Sequence, residues 1–183
     1  MSWSTNASRS AGVSVSRTTS SGNLVVALAI TSLQIATLIG FAVARRIHFD
    51  VHGAGVLWFL AAAVLLTVAM YGAAETLASR IPRQEEYVAR IPAIAIAPWF
   101  LAGSLFPITA MPVVLTWIAR FLPLTHALAL MRYGLRGDPS GLHAIWHLGN
   151  ETAAAGLSLA VVALFALVLT RVAIRSFTRS ATQ

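Results

Sequence analysis

The feature that most constrains this chain is the arrangement of its apolar residues in long blocks almost free of charge. Leu24 to Ala44 carries no ionisable side chain, Ala54 to Leu77 carries only Glu75, and Thr152 to Arg171 meets its first charge at Arg171. A helix over Leu24–Ala44 is about 31 Å long at roughly 1.5 Å per residue, the thickness of a bilayer's hydrocarbon core. Charged residues make up only 10% of the chain and hydrophobic ones 57%, against about 25% charged in soluble domains. The expected fold class is therefore all-α: a polytopic membrane helix bundle of about four membrane segments plus a re-entrant or amphipathic helical hairpin.

Residues 1–22 are rich in Ser and Thr, contain Arg9 and Arg17 and no acid, and are expected to form a flexible lead-in. Residues 23–176 form the membrane domain, with Asn23 as an N-cap for the first span, and 177–183 form a basic tail. Ala36, Gly40 and Ala44 make a small-residue stripe along the first span. Glu75, an acid near the end of the second span with Arg80 following, is expected at the interface. Ser79–Pro92 holds Arg80, Arg83, Glu85, Glu86 and Arg90 and reads as a solvated loop or surface helix. Ile91–Met111 is apolar but carries Pro92, Pro98, Gly103 and Pro107, with Pro112 following, so a kinked or re-entrant segment is expected instead of one straight helix. Between Val113 and Leu135, Trp117, Arg120, Arg132 and Tyr133 interrupt aliphatics, which predicts short helices lying at or dipping into one interface, broken at Pro123.

The net charge of +7 comes from thirteen Arg, with no Lys, against six acids. Because the Arg residues flank apolar blocks, they read as topology and lipid-headgroup contacts and not as a nucleic-acid surface. With both termini cytoplasmic, Arg9, Arg17, Arg80, Arg83, Arg90, Arg171, Arg175 and Arg179 lie inside. Arg45, Arg46, Arg120, Arg132 and Arg136 lie outside. That split follows the positive-inside rule, which favours cytoplasmic termini; the expected location is the plasma (inner) membrane, as a multi-pass protein.

From Pro98 the chain reads PWFLAGSLFPITAMPVVLTWIARFLPLTHALALMR. This stretch resembles the C-terminal signature of type-2 ABC exporter permeases, the drug- and polysaccharide-export group. The ordered positions are Gly103, Phe106, Pro107, Met111, Pro112, Trp117, Ile118, Pro123, Leu124, Thr125 and Arg132. The resemblance covers roughly residues 20–176. It implies that the segments here correspond to helices three to six of a six-helix domain, with an external re-entrant hairpin before the last helix. It departs from the family at His126, where Tyr is common, and in lacking counterparts of the first two helices and most of the coupling segment. By resemblance, the chain is a permease subunit of an ATP-driven exporter of drugs, lipids or polysaccharides, with a second permease chain and a separate ABC ATPase as partners. No cofactor is expected in the chain itself, because a phosphate-cradling loop needs a Lys. The alternative is a non-transporting membrane paralogue that pairs with a full-length permease and regulates it.

Other signals carry less. His143, His147 and Glu151 are spaced four apart and would share one helix face, a possible metal set; His48, Asp50 and His52 form a second His/Asp group. Cysteines are absent and no Gly-x-Ser-x-Gly occurs, so thiol chemistry and a nucleophile elbow are excluded. No enzyme activity is expected.

Overall fold

The computed structural model describes residues 4–51, 53–81, 84–105 and 107–180. Within them the chain is helical: α1 (Ser4–Ala44), α2 (Gly55–Ala78), α3 (Gln84–Leu101), α4 (Val113–Phe121), α5 (Pro123–Arg136), α6 (Ser140–Trp146) and α7 (Glu151–Ser180), with a short 3-10 turn at Ile108–Ala110. Among the described residues, three helices are long and apolar enough to cross a membrane: Gly22–Ala44 of α1, Gly55–Ala78, and Glu151–Ser176 of α7. A fourth is reached if α4 and α5, which meet at an 80° bend, count as one span. The all-α polytopic bundle is therefore the fold.

α1 differs from the expected flexible lead-in. It runs unbroken through Gly22 and Asn23 from Ser4. Once the Leu24–Ala44 block has nucleated a helix, each further residue adds one hydrogen bond at little extra cost. The stretch before it contains no Pro to stop propagation. Within the apolar part, Ser32 and Thr37 hydroxyls donate to the carbonyls of Leu28 and Leu33, at 2.8 and 2.7 Å, so neither polar group is left unpaired.

α3 absorbs both the charged stretch and the first half of the apolar segment after it. Pro92 and Pro98 lie inside the helix, within the segment expected to be kinked or re-entrant. The helix ends three residues beyond Pro98, with Ala102 N–H still donating to the Pro98 carbonyl at 2.9 Å. Its acidic first turn, Glu85 and Glu86, suits the positive end of the helix dipole, and Arg90 pairs with Glu86.

The bundle centre is α2 packed on α7 and on α5, with α5 also against α7 and α6. Small residues let these backbones approach. Ser158, Val162 and Ala166, spaced four apart on α7, are all buried, as are Ala62, Ala63 and Ala69 on α2. A Cβ on Gly72 would sit 3.0 Å from backbone atoms of Leu169 and Thr170, and one on Gly134 would sit 2.5 Å from the Gly55 carbonyl oxygen. α2 thus touches α7 near its far end and α5 at its beginning.

These contacts fix where each segment lies. α2 starts and α7 starts at one end of the bundle, because Gly55 meets Gly134 of α5 while His126 of α5 reaches Ser158 of α7. α3 carries the chain back to that end, since Gly103 just beyond it meets Arg132 of α5. All of α4, α5 and α6 gather there before α7 crosses back. The start of α1 and the end of α7 therefore fall at the same, opposite end.

Candidate functional site: the hairpin between α3 and α7

The Pro and Gly residues set the path of this connection. Gly103 turns the chain after α3 with φ +76°, a region open to glycine at no steric cost. Pro107 precedes the 3-10 turn and Pro112 precedes α4, both in extended backbone. Pro123 occupies the first turn of α5, where a missing N–H costs nothing. Thr116 ties the turn to α4, its hydroxyl reaching the Ile108 carbonyl at 2.9 Å. Gly137 at φ +62° caps α5, its N–H donating to Tyr133 at 3.0 Å.

Arg132 then closes the hairpin. Its guanidinium donates to the Gly103 carbonyl at 2.7 Å, across 29 residues of sequence. The signature positions Gly103, Pro107, Thr125 and Arg132 are brought around one cleft of about 790 Å³. Pro112 and Pro123 shape its frame without lining it, and Phe106 lies outside the described residues. Trp117 is on the exposed side of α4, with the Arg120 guanidinium 5.5 Å from its ring centroid. That pair suits a headgroup layer.

α4 stays on the surface of the bundle, whereas α5 dips inside. Its Thr125, His126, Ala127, Ala129, Leu130 and Gly134 are buried against α2 and α7. His126 is a core residue and not an interfacial anchor. Its Nε2 lies 2.8 Å from the Arg120 carbonyl and its Nδ1 lies 3.3 Å from Ser158 Oγ. Trp146 Nε1–H donates to the same Ser158 oxygen at 2.7 Å. One assignment satisfies every group: Nε2–H donates to the carbonyl, and the Ser158 hydroxyl donates to a bare Nδ1 while accepting from Trp146. Polar groups of four elements, α4, α5, α6 and α7, are then tied together without an orphan in the network.

Sequence reasoning missed this network because its bonded partners lie up to 32 residues apart; the only available sign was His126 standing where the family commonly has Tyr. It also missed the Gly55–Gly134 contact, which a glycine inside a helical pattern hints at. Arg120 is tied across the hairpin to His147 Nε2 at 2.8 Å.

The remaining candidates separate. His147 adopts φ +54° and terminates α6, with its N–H on the His143 carbonyl at 2.9 Å. His143, His147 and Glu151 therefore do not share a helix face. Among the described residues no group of three or more His, Cys, Asp or Glu could hold a metal ion; His52 lies outside them. Glu75 is half-buried and accepts a hydrogen bond from the Tyr71 hydroxyl one turn earlier. Asp138, in the turn after α5, has its carboxyl held below the usual range. The main cause is hydrogen bonding from Ser140, first its side chain and then its backbone N–H at 3.0 Å. Partial burial opposes this, and Arg136 and Arg132 assist.

The described helices thus form a membrane bundle in which a broken, Pro-framed hairpin leads from α3 into the last span, α7. The family model for the ABC-2 type transporter matches residues 6–135, and the chain belongs to that family. Neither the curated proteins nor the solved structures yielded a match. The matched range begins inside the Ser/Thr-rich stretch that α1 also incorporates. The chain is thus a multi-pass permease component of an ABC transporter, a domain that is not itself catalytic in this family.

Proposed function

We propose that this chain is the membrane-spanning subunit of an ATP-driven exporter of drugs, lipids or polysaccharides, seated in the plasma (inner) membrane with both termini cytoplasmic. It works beside a second permease chain, identical or related, and over a separate ABC ATPase that binds the ATP. The carrying observation is the gathering of α4, α5 and α6 at one end of the bundle, pinned by Arg132 on Gly103. A hairpin so placed suits a lid over an exit on the side opposite the ATPase. The eight-to-five split of Arg residues supports putting that side outside. ATP-driven closure of the partner need only bias a two-state bundle by about 5.5 kcal/mol to invert a 1:99 population.

In purified form the chain alone is expected to show no nucleotide turnover. Co-purified with its ATPase, photo-crosslinking with azido-ATP should label the second polypeptide alone. Turnover or labelling of this chain, persisting after contaminating ATPases are removed, would overturn the reading.

A further inference from the structure

The cleft beneath the hairpin holds donors that the fold leaves unused. Thr125 is 3% exposed, and its hydroxyl oxygen has no hydrogen-bond partner; nor has the buried Nε2 of His143. Both residues line the cleft, as do Arg132 and Arg136. Arg132 engages Gly103 through one nitrogen, leaving other guanidinium donors among the five that Arg carries. Buried polar groups are nearly always paired, so two orphans in one lined cleft point to something that is bound there. The single acid on the lining, Asp138, is turned to Ser140 N–H. Among the Arg and Asp side chains of the lining, two Arg stand against one Asp, an excess of one positive charge.

We propose that this cleft binds one phosphate-bearing group. Two guanidinium forks, a hydroxyl and an imidazole offer more donors than the two oxygens of a carboxylate can use. A phosphodiester adds two ester oxygens, as weaker acceptors, to two anionic oxygens that can each take a guanidinium N–H, so that four oxygens meet these donors. A cleft of about 790 Å³ also exceeds a bare phosphate ion, and Ala102, Ile108, Leu128 and Ile145 supply an apolar wall. The match is to a phosphodiester carried on an apolar body, as in an anionic lipid. The site stands on this chain's own donors and holds whichever way the protein is oriented or energised.

The test uses the full chain in neutral detergent and three probes: phosphatidylglycerol, a diacylglycerol of the same chain length, and inorganic phosphate. Phosphatidylglycerol should bind and raise the thermal midpoint, while diacylglycerol should not. Arg136→Gln and Thr125→Val should each weaken that binding about tenfold. Arg45→Gln, an exposed cation at the end of α1, should leave it unchanged. Thr125→Val should also raise the midpoint without ligand, because it removes an unpaired buried hydroxyl; weakened binding in that variant is then not a folding defect. Inorganic phosphate binding with the same variant sensitivity would support the site and assign its source to free phosphate. Unchanged binding in both cleft variants, or equal weakening by Arg45→Gln, would overturn the proposal.

Discussion

α4 and α5 are adjacent short helices, both amphipathic, joined at Pro123, and they meet opposite fates. α4 presents Val113, Val114 and Phe121 at 74%, 70% and 70% exposure, while Leu130 of α5 is fully buried. Amphipathicity alone does not distinguish them, because an apolar face can be covered by lipid or by protein. What differs is size and polarity along that face. α5 offers Ala127, Ala129 and Gly134 to neighbouring backbones, and its one imidazole finds partners on α4 and α7. α4 offers bulky aliphatics and aromatics, with Trp117 and Arg120 stacked at its edge. Small residues select protein as the covering; bulky ones with an interfacial Trp–Arg pair select the bilayer surface.

The largest effect should come from α5. Gly134→Val places a branched side chain where a Cβ already meets the Gly55 oxygen at 2.5 Å and Phe59 N at 3.0 Å. Both neighbours are backbone and cannot yield, so a loss of about 3 kcal/mol or more is expected. Thermal unfolding in detergent measures it, and a wild-type midpoint would show that α5 does not dock on α2.

Next, His126→Leu should cost about 2–3 kcal/mol by leaving the Arg120 carbonyl and the Ser158 hydroxyl without their partner. A double-mutant cycle with Ser158→Ala should show the two losses to be coupled, which locates the cost in the network; strictly additive losses would place it in packing.

Asp138→Asn should have a smaller effect that depends on pH. Because the folded carboxyl titrates below its ordinary value, its stabilising contribution is complete above that value. It is lost as pH falls through the lowered pKa. The midpoint difference between Asp138→Asn and wild type should thus be present at pH 7 and shrink below about pH 4. A difference that grows on acidification would reverse the assignment.

The smallest effect on folding is expected for Trp117→Ala on α4, within about 0.5 kcal/mol, because the side chain is exposed in the fold. Fluorescence quenching by lipids carrying headgroup-level quenchers should find Trp117 at the interface. Strong quenching only from the bilayer centre would contradict the comparison.

The spans were legible because charge-free length is a one-dimensional signal: α2 begins within one residue of its expected start at Ala54, and α7 within one of Thr152. The turns at Pro107, Pro112 and Pro123 were legible because a missing N–H acts locally. Helix continuity was not. Ser4–Gly22 and the Pro92–Pro98 stretch look unfavourable residue by residue, yet each continues a helix that is nucleated elsewhere. The burial of α5 was also hidden, since it depends on Gly55, Ser158 and Trp146, all outside α5 itself.

The central claim is that the chain between α3 and α7 stays at one end of the bundle instead of crossing. Because native Cys is absent, single cysteines at Val114, Ser140 and Ser79 can be labelled in intact cells with an impermeant maleimide. Val114→Cys in α4 and Ser140→Cys in α6 should label from the same side, and Ser79→Cys, at the end of α2, from the other. Labelling of Val114→Cys and Ser140→Cys from opposite sides would make α4 and α5 one bent crossing, and the hairpin would fall.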